Sequence, residues 1–232
     1  MTDGERGGRG PVDEAIASRR SVRAYLPTPI DGAVLREILA VASRAPSGNN
    51  VQPWHVYVTA GAARDRLSAA IVEAWRTEPD AHEQEYVYSL TEWRDPYRAR
   101  RREVGWGLYD LLGVAKGDYE GSRRFYERNF VFFDAPVGMI FTLERDLGRG
   151  SWLDLGMFLE NVMTAARGRG LDTCPQAALA PFHKVIRPLL GIPEEELVVC
   201  GMALGHADEG APVNALETPR EPVEGFARFF DI

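Results

Sequence analysis

The chain is expected to fold as α+β, with a mixed and mostly antiparallel sheet of four or five strands enclosed by helices. Three observations carry this expectation. Short β-prone apolar runs stand at residues 54–59, 135–142 and 196–204. Between them lie segments whose apolar residues recur at helical spacing, most clearly residues 153–167. No Gly-x-Gly-x-x-Gly run follows a strand and opens a helix, which argues against a doubly wound dinucleotide fold.

Residues 1–10 hold four glycines among alternating charges and read as a disordered leader. Residues 12–20 form a first short helix, with Asp13 and Glu14 at its positive end. Asp31 caps a second helix to about Arg44, whose Val34, Leu35, Ile38, Leu39, Val41 and Ala42 share one face; Pro46 and Gly48 stop it. After the first strand, residues 62–75 form a third helix with Leu67, Ala70, Ile71 and Ala74 inward. The pattern weakens between 77 and 130. Pro79 with Asp80, Glu83 and Glu85 reads as an exposed loop, and a helix runs from near Pro96 through Leu112. Trp93, Trp106 and Tyr109 are either plain core or the wall of an apolar substrate pocket.

The apolar stripe of residues 153–167 is wide, as in a central buried helix or a dimer seam, and Gly168 and Gly170 end that helix. Cys174 and Pro175 read as loop, and a further helix spans about residues 181–190. From Ala207 the chain is polar and Pro-rich, then offers Val223, Phe226, Phe229 and Phe230. Four apolar groups on such an arm cannot build a core. They must dock on the same subunit or across a dimer axis. The expected organisation is a leader (1–10) and one domain (11–232), with a helical cap region at 77–130 and a C-terminal arm at 207–232.

The chain has 232 residues, 45% of them apolar, enough for one generous domain. A net charge of −7 argues against a general nucleic-acid or anionic-membrane surface. The longest apolar stretches are about 8–10 residues, short of the ~20 needed to span a bilayer. With no secretory pattern either, cytoplasmic residence is expected. Cys174 and Cys200 make no Cys-x-x-Cys pair and read as free thiols, Cys200 as an inert buried one. His55, His82, His183 and His206 lack metal-ligand spacing, so no metal is expected, and His183 reads as packing a helix end. There is no phosphate-binding P-loop and no Gly-x-Ser-x-Gly elbow. So few acids, bases and nucleophiles suit an enzyme whose cofactor carries the chemistry.

Two runs carry the functional signal. Residues 18–25 (Ser-Arg-Arg-Ser-Val-Arg-Ala-Tyr) place three guanidiniums and a hydroxyl within five positions, a plausible anion cradle. Residues 45–54 (Ala-Pro-Ser-Gly-Asn-Asn-Val-Gln-Pro-Trp) form a loop of small and amide residues suited to a flat polar ring. Together they resemble the nitroreductase family, flavoproteins that hold FMN between two subunits. The likeness covers about residues 13–230 and is vaguest between 77 and 130.

That resemblance implies a set of roles. Arg19 and Ser21 would bind the ribityl-phosphate end of FMN, Arg20 would lie alongside, and Arg23 would point at N1 and O2 of the ring. A fixed cation there stabilises the negative charge that reduced flavin carries near N1. Pro46, Ser47, Gly48 and Asn50 resemble the loop that reaches the flavin of the other subunit, with Trp54 packing behind. Pro175, Gln176, Ala177 and Ala178 resemble the segment that passes one face of the ring and gives a backbone N–H to N5. Arg220 resembles the C-terminal arginine that closes on the phosphate, and Thr218 stands where some members carry a lysine. The implied protein is an obligate homodimer with exchanged C-terminal arms. Its implied reaction is ping-pong: NADH or NADPH reduces FMN and leaves, and a flat electron-poor acceptor, a nitroaromatic or quinone, takes the electrons. Another flavin reaction on the same scaffold (dehydrogenation, dehalogenation or flavin cleavage) and flavin binding without turnover remain open alternatives.

Overall fold

Four strands make one sheet in the order β1-β2-β4-β3, and every ladder is antiparallel. They are β1 (His55–Ala60), β2 (Val137–Glu144), β3 (Asp172–Gln176) and β4 (Glu196–Gly205). The helices are α1 (Pro11–Ser18), α2 (Gly32–Ala42), α3 (Gly61–Thr77), α4 (Tyr97–Leu111), α5 (Tyr119–Glu127), α6 (Arg149–Arg167), α7 (His183–Leu190) and α8 (Val223–Phe226). The computed structural model describes residues 10–231, so all of the expected leader except Gly10 lies outside the described residues. None of the described helices is long and apolar enough to cross a membrane.

Strand alternation builds two cores, one on each face of the sheet. Val137, Met139, Phe141 and Leu143 of β2 join the layer of α2 and α6, while Ile140 joins α3, α7 and the segment 128–134. The Asp31 carboxylate caps α2 as expected, accepting from the Ala33 N–H at 2.8 Å. The Trp54 indole stacks on Phe158 of α6, centroids 4.7 Å apart. A bulge on β4 pairs Phe141 with Cys200 but Thr142 with Val198, leaving Val199 as the extra residue. Val199 and Cys200 therefore both face the α6 side. Burial pushes the Cys200 thiol up to about 12, so it stays protonated.

Several expectations need correction. Cys174 and Pro175 are not loop but strand: β3 pairs Cys174 with Ala203 and Pro175 with Met202. A proline within a run masks a strand in sequence, yet an edge strand tolerates it, since only one side needs a donor. The parallel component of the sheet reduces to one isolated bridge, Ser21 to Thr173. The first helix stops at Ser18, because Arg19 turns to extended geometry (φ −64, ψ 128). Trp106 and Tyr109 are not core: they are exposed and line a hollow of about 940 Å³ between α4 and α5. Glu85 leaves the expected exposed loop for a pocket of charge described below.

The segment 128–134 defies local rules for a physical reason. Phe132 and Phe133 take positive φ (52° and 54°), unfavourable for aromatic residues, because burial of both rings outweighs the local cost. The Phe132 ring then lies so close to Gly138 that an added Cβ would meet it at 2.7 Å. Gly138→Val is expected to destabilise the fold by about 1–3 kcal/mol or more. A urea midpoint unchanged from wild type would show that the ring can yield.

Candidate functional site

After α1 the chain runs along the outer edge of β3. The Val22 N–H donates to the Thr173 carbonyl at 3.1 Å, and further on Leu26 N–H donates to the His206 carbonyl at 2.9 Å. Val22 and Ala24 are buried, so strand alternation turns Ser21 and Arg23 the other way, where both are half-buried. Arg167 of α6 holds the start of this segment, donating to Ser18 Oγ at 2.9 Å while paired with Asp172 at 3.0 Å.

Positive charge here is largely uncompensated. Arg19 has one distant partner, Glu160 at 3.9 Å, and Arg20 and Arg23 form no ion pair among the described residues. Among the described residues the Arg23 guanidinium donates only to the Ser21 carbonyl, at 3.1 Å. On the adjoining strand, Thr173 Oγ1 and Gln176 Oε1 are buried without a hydrogen-bond partner among the described residues. Such atoms cost about 1–3 kcal/mol each unless something meets them. Gln176 is otherwise fixed, its Nε2 donating to the Asn129 carbonyl at 2.8 Å. Cys174 sits in the same place, but burial raises its thiol pKa against the lowering pull of Arg23 and Arg19.

Beyond Gln176 lies a cleft of about 370 Å³. Pro175, Gln176 and Ala177 form one wall, and Tyr86, Tyr88 and Trp152 another. The bulge residues Val199 and Cys200 also line it. The Tyr86 hydroxyl donates to the Val199 carbonyl at 2.5 Å, and its ring lies 4.7 Å from Trp152. Burial raises the Tyr86 phenol pKa, which keeps it a donor. The neighbouring Glu85 anchors this wall. It pairs with Arg145 at 2.6 Å, His183 at 3.5 Å and Arg187 at 3.6 Å. Desolvation lowers the His183 pKa despite the opposing pull of Glu85.

The other expected site residues lie apart within one chain. Pro46 and Ser47 lead into a 3-10 turn at Gly48–Asn50 tied to the first part of α6, where the Gly48 N–H donates to Asp154 at 3.2 Å. Asn49 and Asn50 adopt left-handed φ of 50° and 58°, which asparagine tolerates better than most residues. Asp154 and Arg167, the α6 residues that hold the two segments, are about 20 Å apart along the helix. Arg220 is exposed and folds back on its own arm, donating to the Thr218 carbonyl at 2.9 Å and Oγ1 at 2.7 Å. The arm rests on α4 through an Arg100–Glu221 ion pair of 2.5 Å. Its Val223, Phe226, Phe229 and Phe230 are exposed.

One chain thus joins Arg19, Arg20, Ser21 and Arg23 to the strand that leads into Pro175, Gln176, Ala177 and Ala178. It leaves the 46–50 loop and Arg220 free to serve elsewhere. Thr173, Asn129, Tyr86 and Trp152 escape recognition in the sequence, since each is placed by long-range pairing that leaves no local pattern.

This architecture superposes on the solved FMN and NADPH-dependent nitroreductase NfnB from Sphigopyxis sp. strain HMH. The TM-score is 0.92 at 35% identity, covering 95% of this chain and 99% of that one. The chain belongs to the nitroreductase family, whose profile matches residues 16–206. It is 43% identical over 218 residues to a chloronitrobenzene nitroreductase of Comamonas testosteroni, covering 94% of this chain and 96% of that protein. It is also 43% identical over 217 residues to a 4-nitrobenzoate reductase of Pseudomonas putida, covering 94% of each.

Proposed function

We propose that the protein is an FMN-dependent oxidoreductase that uses NADPH or NADH to reduce nitroaromatic compounds, as a homodimer in the cytoplasm. The observation that carries this reading is the set of under-compensated guanidiniums of Arg19, Arg20 and Arg23 on the segment that pairs with Thr173, whose Oγ1 is buried without a hydrogen-bond partner among the described residues. An anionic cofactor with a polar ring answers both needs, and the donor set fits FMN. Relatives named for reduction of chloronitrobenzene and 4-nitrobenzoate support the reaction class. The FMN and NADPH dependence of the similar NfnB enzyme supports the cofactors.

Bound FMN supplies the two-electron redox chemistry. In this reading Arg19 and Ser21 hold the phosphate end with Arg20 alongside, and Arg23 places a fixed charge against the pyrimidine edge of the ring. Pro175, Gln176, Ala177 and Ala178 present backbone to the ring through short or turned-away side chains. Pro46, Ser47, Gly48, Asn50 and Arg220 complete the site of the partner subunit, which accounts for their separation from the cradle in one chain. The domain spans residues 11–232, with 77–130 as cap and 207–232 as arm.

Among the described residues, the cleft lining holds no lysine, arginine or histidine. The wall that one chain contributes therefore suits an uncharged nitroarene better than one bearing a carboxylate, whose burial against it without a cation is costly. Purified protein is expected to be yellow, to release FMN on denaturation, and to show a higher kcat/KM for nitrobenzene than for 4-nitrobenzoate. A colourless protein that FMN cannot reconstitute would overturn the assignment, and a preference for the benzoate would overturn the acceptor class.

A further inference from the structure

The root of the C-terminal arm is tied to the arginine segment by one buried amide. Asn214 is 3% exposed and is the last buried residue among the described ones. Its Oδ1 accepts from the Arg23 backbone N–H at 2.8 Å. Its Nδ2 donates to the Ala24 carbonyl at 2.8 Å and to the Asp208 carbonyl at 2.9 Å. All three partners are backbone groups of fixed polarity, so only one orientation of the amide satisfies them. Asp208 N–H also donates to the Ala24 carbonyl, at 3.0 Å, which closes the loop of contacts. A single side chain thus fixes the backbone at Arg23 and Ala24 against the turn at Pro212–Ala215, from which the arm departs.

We propose that Asn214 is a positioning residue for Arg23. By locking the backbone on both sides of the Arg23–Ala24 peptide, it sets the direction in which the guanidinium leaves the chain. It also links the grip on the cofactor to the seating of the arm, since both hang from the same amide. Arg23 makes no ion pair among the described residues that could orient it instead. Its only side-chain hydrogen bond among them is to the Ser21 carbonyl on its own segment. This inference rests on the proposed role of Arg23 beside the flavin.

The test measures FMN affinity by titration into apoprotein, and the midpoint potential of the reconstituted forms. The proteins are wild type, Asn214→Ala, Arg23→Ala, the double variant and Val213→Ala. Val213, buried at 6% exposure in the same turn, controls for general loosening of the arm root. Asn214→Ala is expected to weaken FMN binding about tenfold and to weaken the preference for reduced over oxidised flavin about tenfold, a fall of about 30 mV. In the Arg23→Ala background the same substitution is expected to shift the potential no further, and Val213→Ala is expected to lower the melting temperature alone. Should alanine prevent folding, Asn214→Ser keeps a small neutral oxygen in place of the amide without adding charge, and its shift must likewise vanish without the guanidinium. An unchanged potential, a shift that persists without Arg23, or an equal shift in Val213→Ala would each overturn the proposal. Wild-type potential in Arg23→Ala alone would instead sink the role of Arg23, and the inference with it, so the two failures are told apart.

Discussion

Removal of residues 216–232 is expected to yield a protein that neither retains FMN nor forms a dimer. The cut spares Asn214 and the buried turn, so it tests the arm and not its root. Phe226, Phe229 and Phe230 are 69%, 60% and 81% exposed in one chain, apolar surface that the proposed partner subunit would cover. Full burial of each such side chain is worth about 1.5–3 kcal/mol. Together they form a large part of what would hold the arm to a partner, in an interface of the obligate class that buries upwards of about 2,000 Å². Light scattering and flavin absorbance on the same gel-filtration peak provide the measurement. A truncated protein that elutes as a yellow dimer would show that the arm is dispensable.

Arg220→Ala and Arg23→Ala are expected to fail in different ways. Arg220 is exposed and, among the described residues, held only by Thr218 and Pro219 of its own arm, so a docking arm is free to deliver its charge to a phosphate. A charge-assisted bond of that kind is worth about 1.5–3 kcal/mol, so FMN binding should weaken roughly ten- to over a hundredfold. The phosphate has the same charge in both redox states, so turnover per bound flavin should change little, because uniform binding leaves the chemical step alone. Arg23→Ala should instead lower the potential and slow flavin reduction by NADPH even at full occupancy. FMN titration with stopped-flow reduction separates the two. Equal losses of affinity and potential in both variants would contradict the division of labour.

Some elements are legible in the sequence and others are hidden, for identifiable reasons. Asp31, the stripe on α6 and the strands at β1, β2 and β4 follow local rules of capping and periodicity, and each lies within a few residues of its expected place. Pro175 hides the strand β3, whose support comes from β4 on one side and Ser21–Val22 on the other. Glu85 reads as part of an acidic surface loop, and nothing local announces that Arg145, His183 and Arg187 will surround it. Of the site, the arginine run and the 175–178 segment are legible as motifs, but their neighbourhood is a product of sheet order. Asn214 carries no signal at all: an asparagine after Pro-Val means nothing until its three partners arrive from distant segments.

The pairing of Ser21 and Val22 along β3 has a consequence for solubility. A strand at the margin of a sheet offers unpaired amides and carbonyls to any other extended chain, and such margins seed aggregation. Here the margin is sealed from within: Val22 takes the Thr173 carbonyl, and Pro175 removes an amide that a foreign strand could have used. The segment proposed to cradle the cofactor is therefore also the guard of the sheet. Conditions that loosen it would bare the flank of β3, so loss of cofactor and clumping of the chain should share one structural origin.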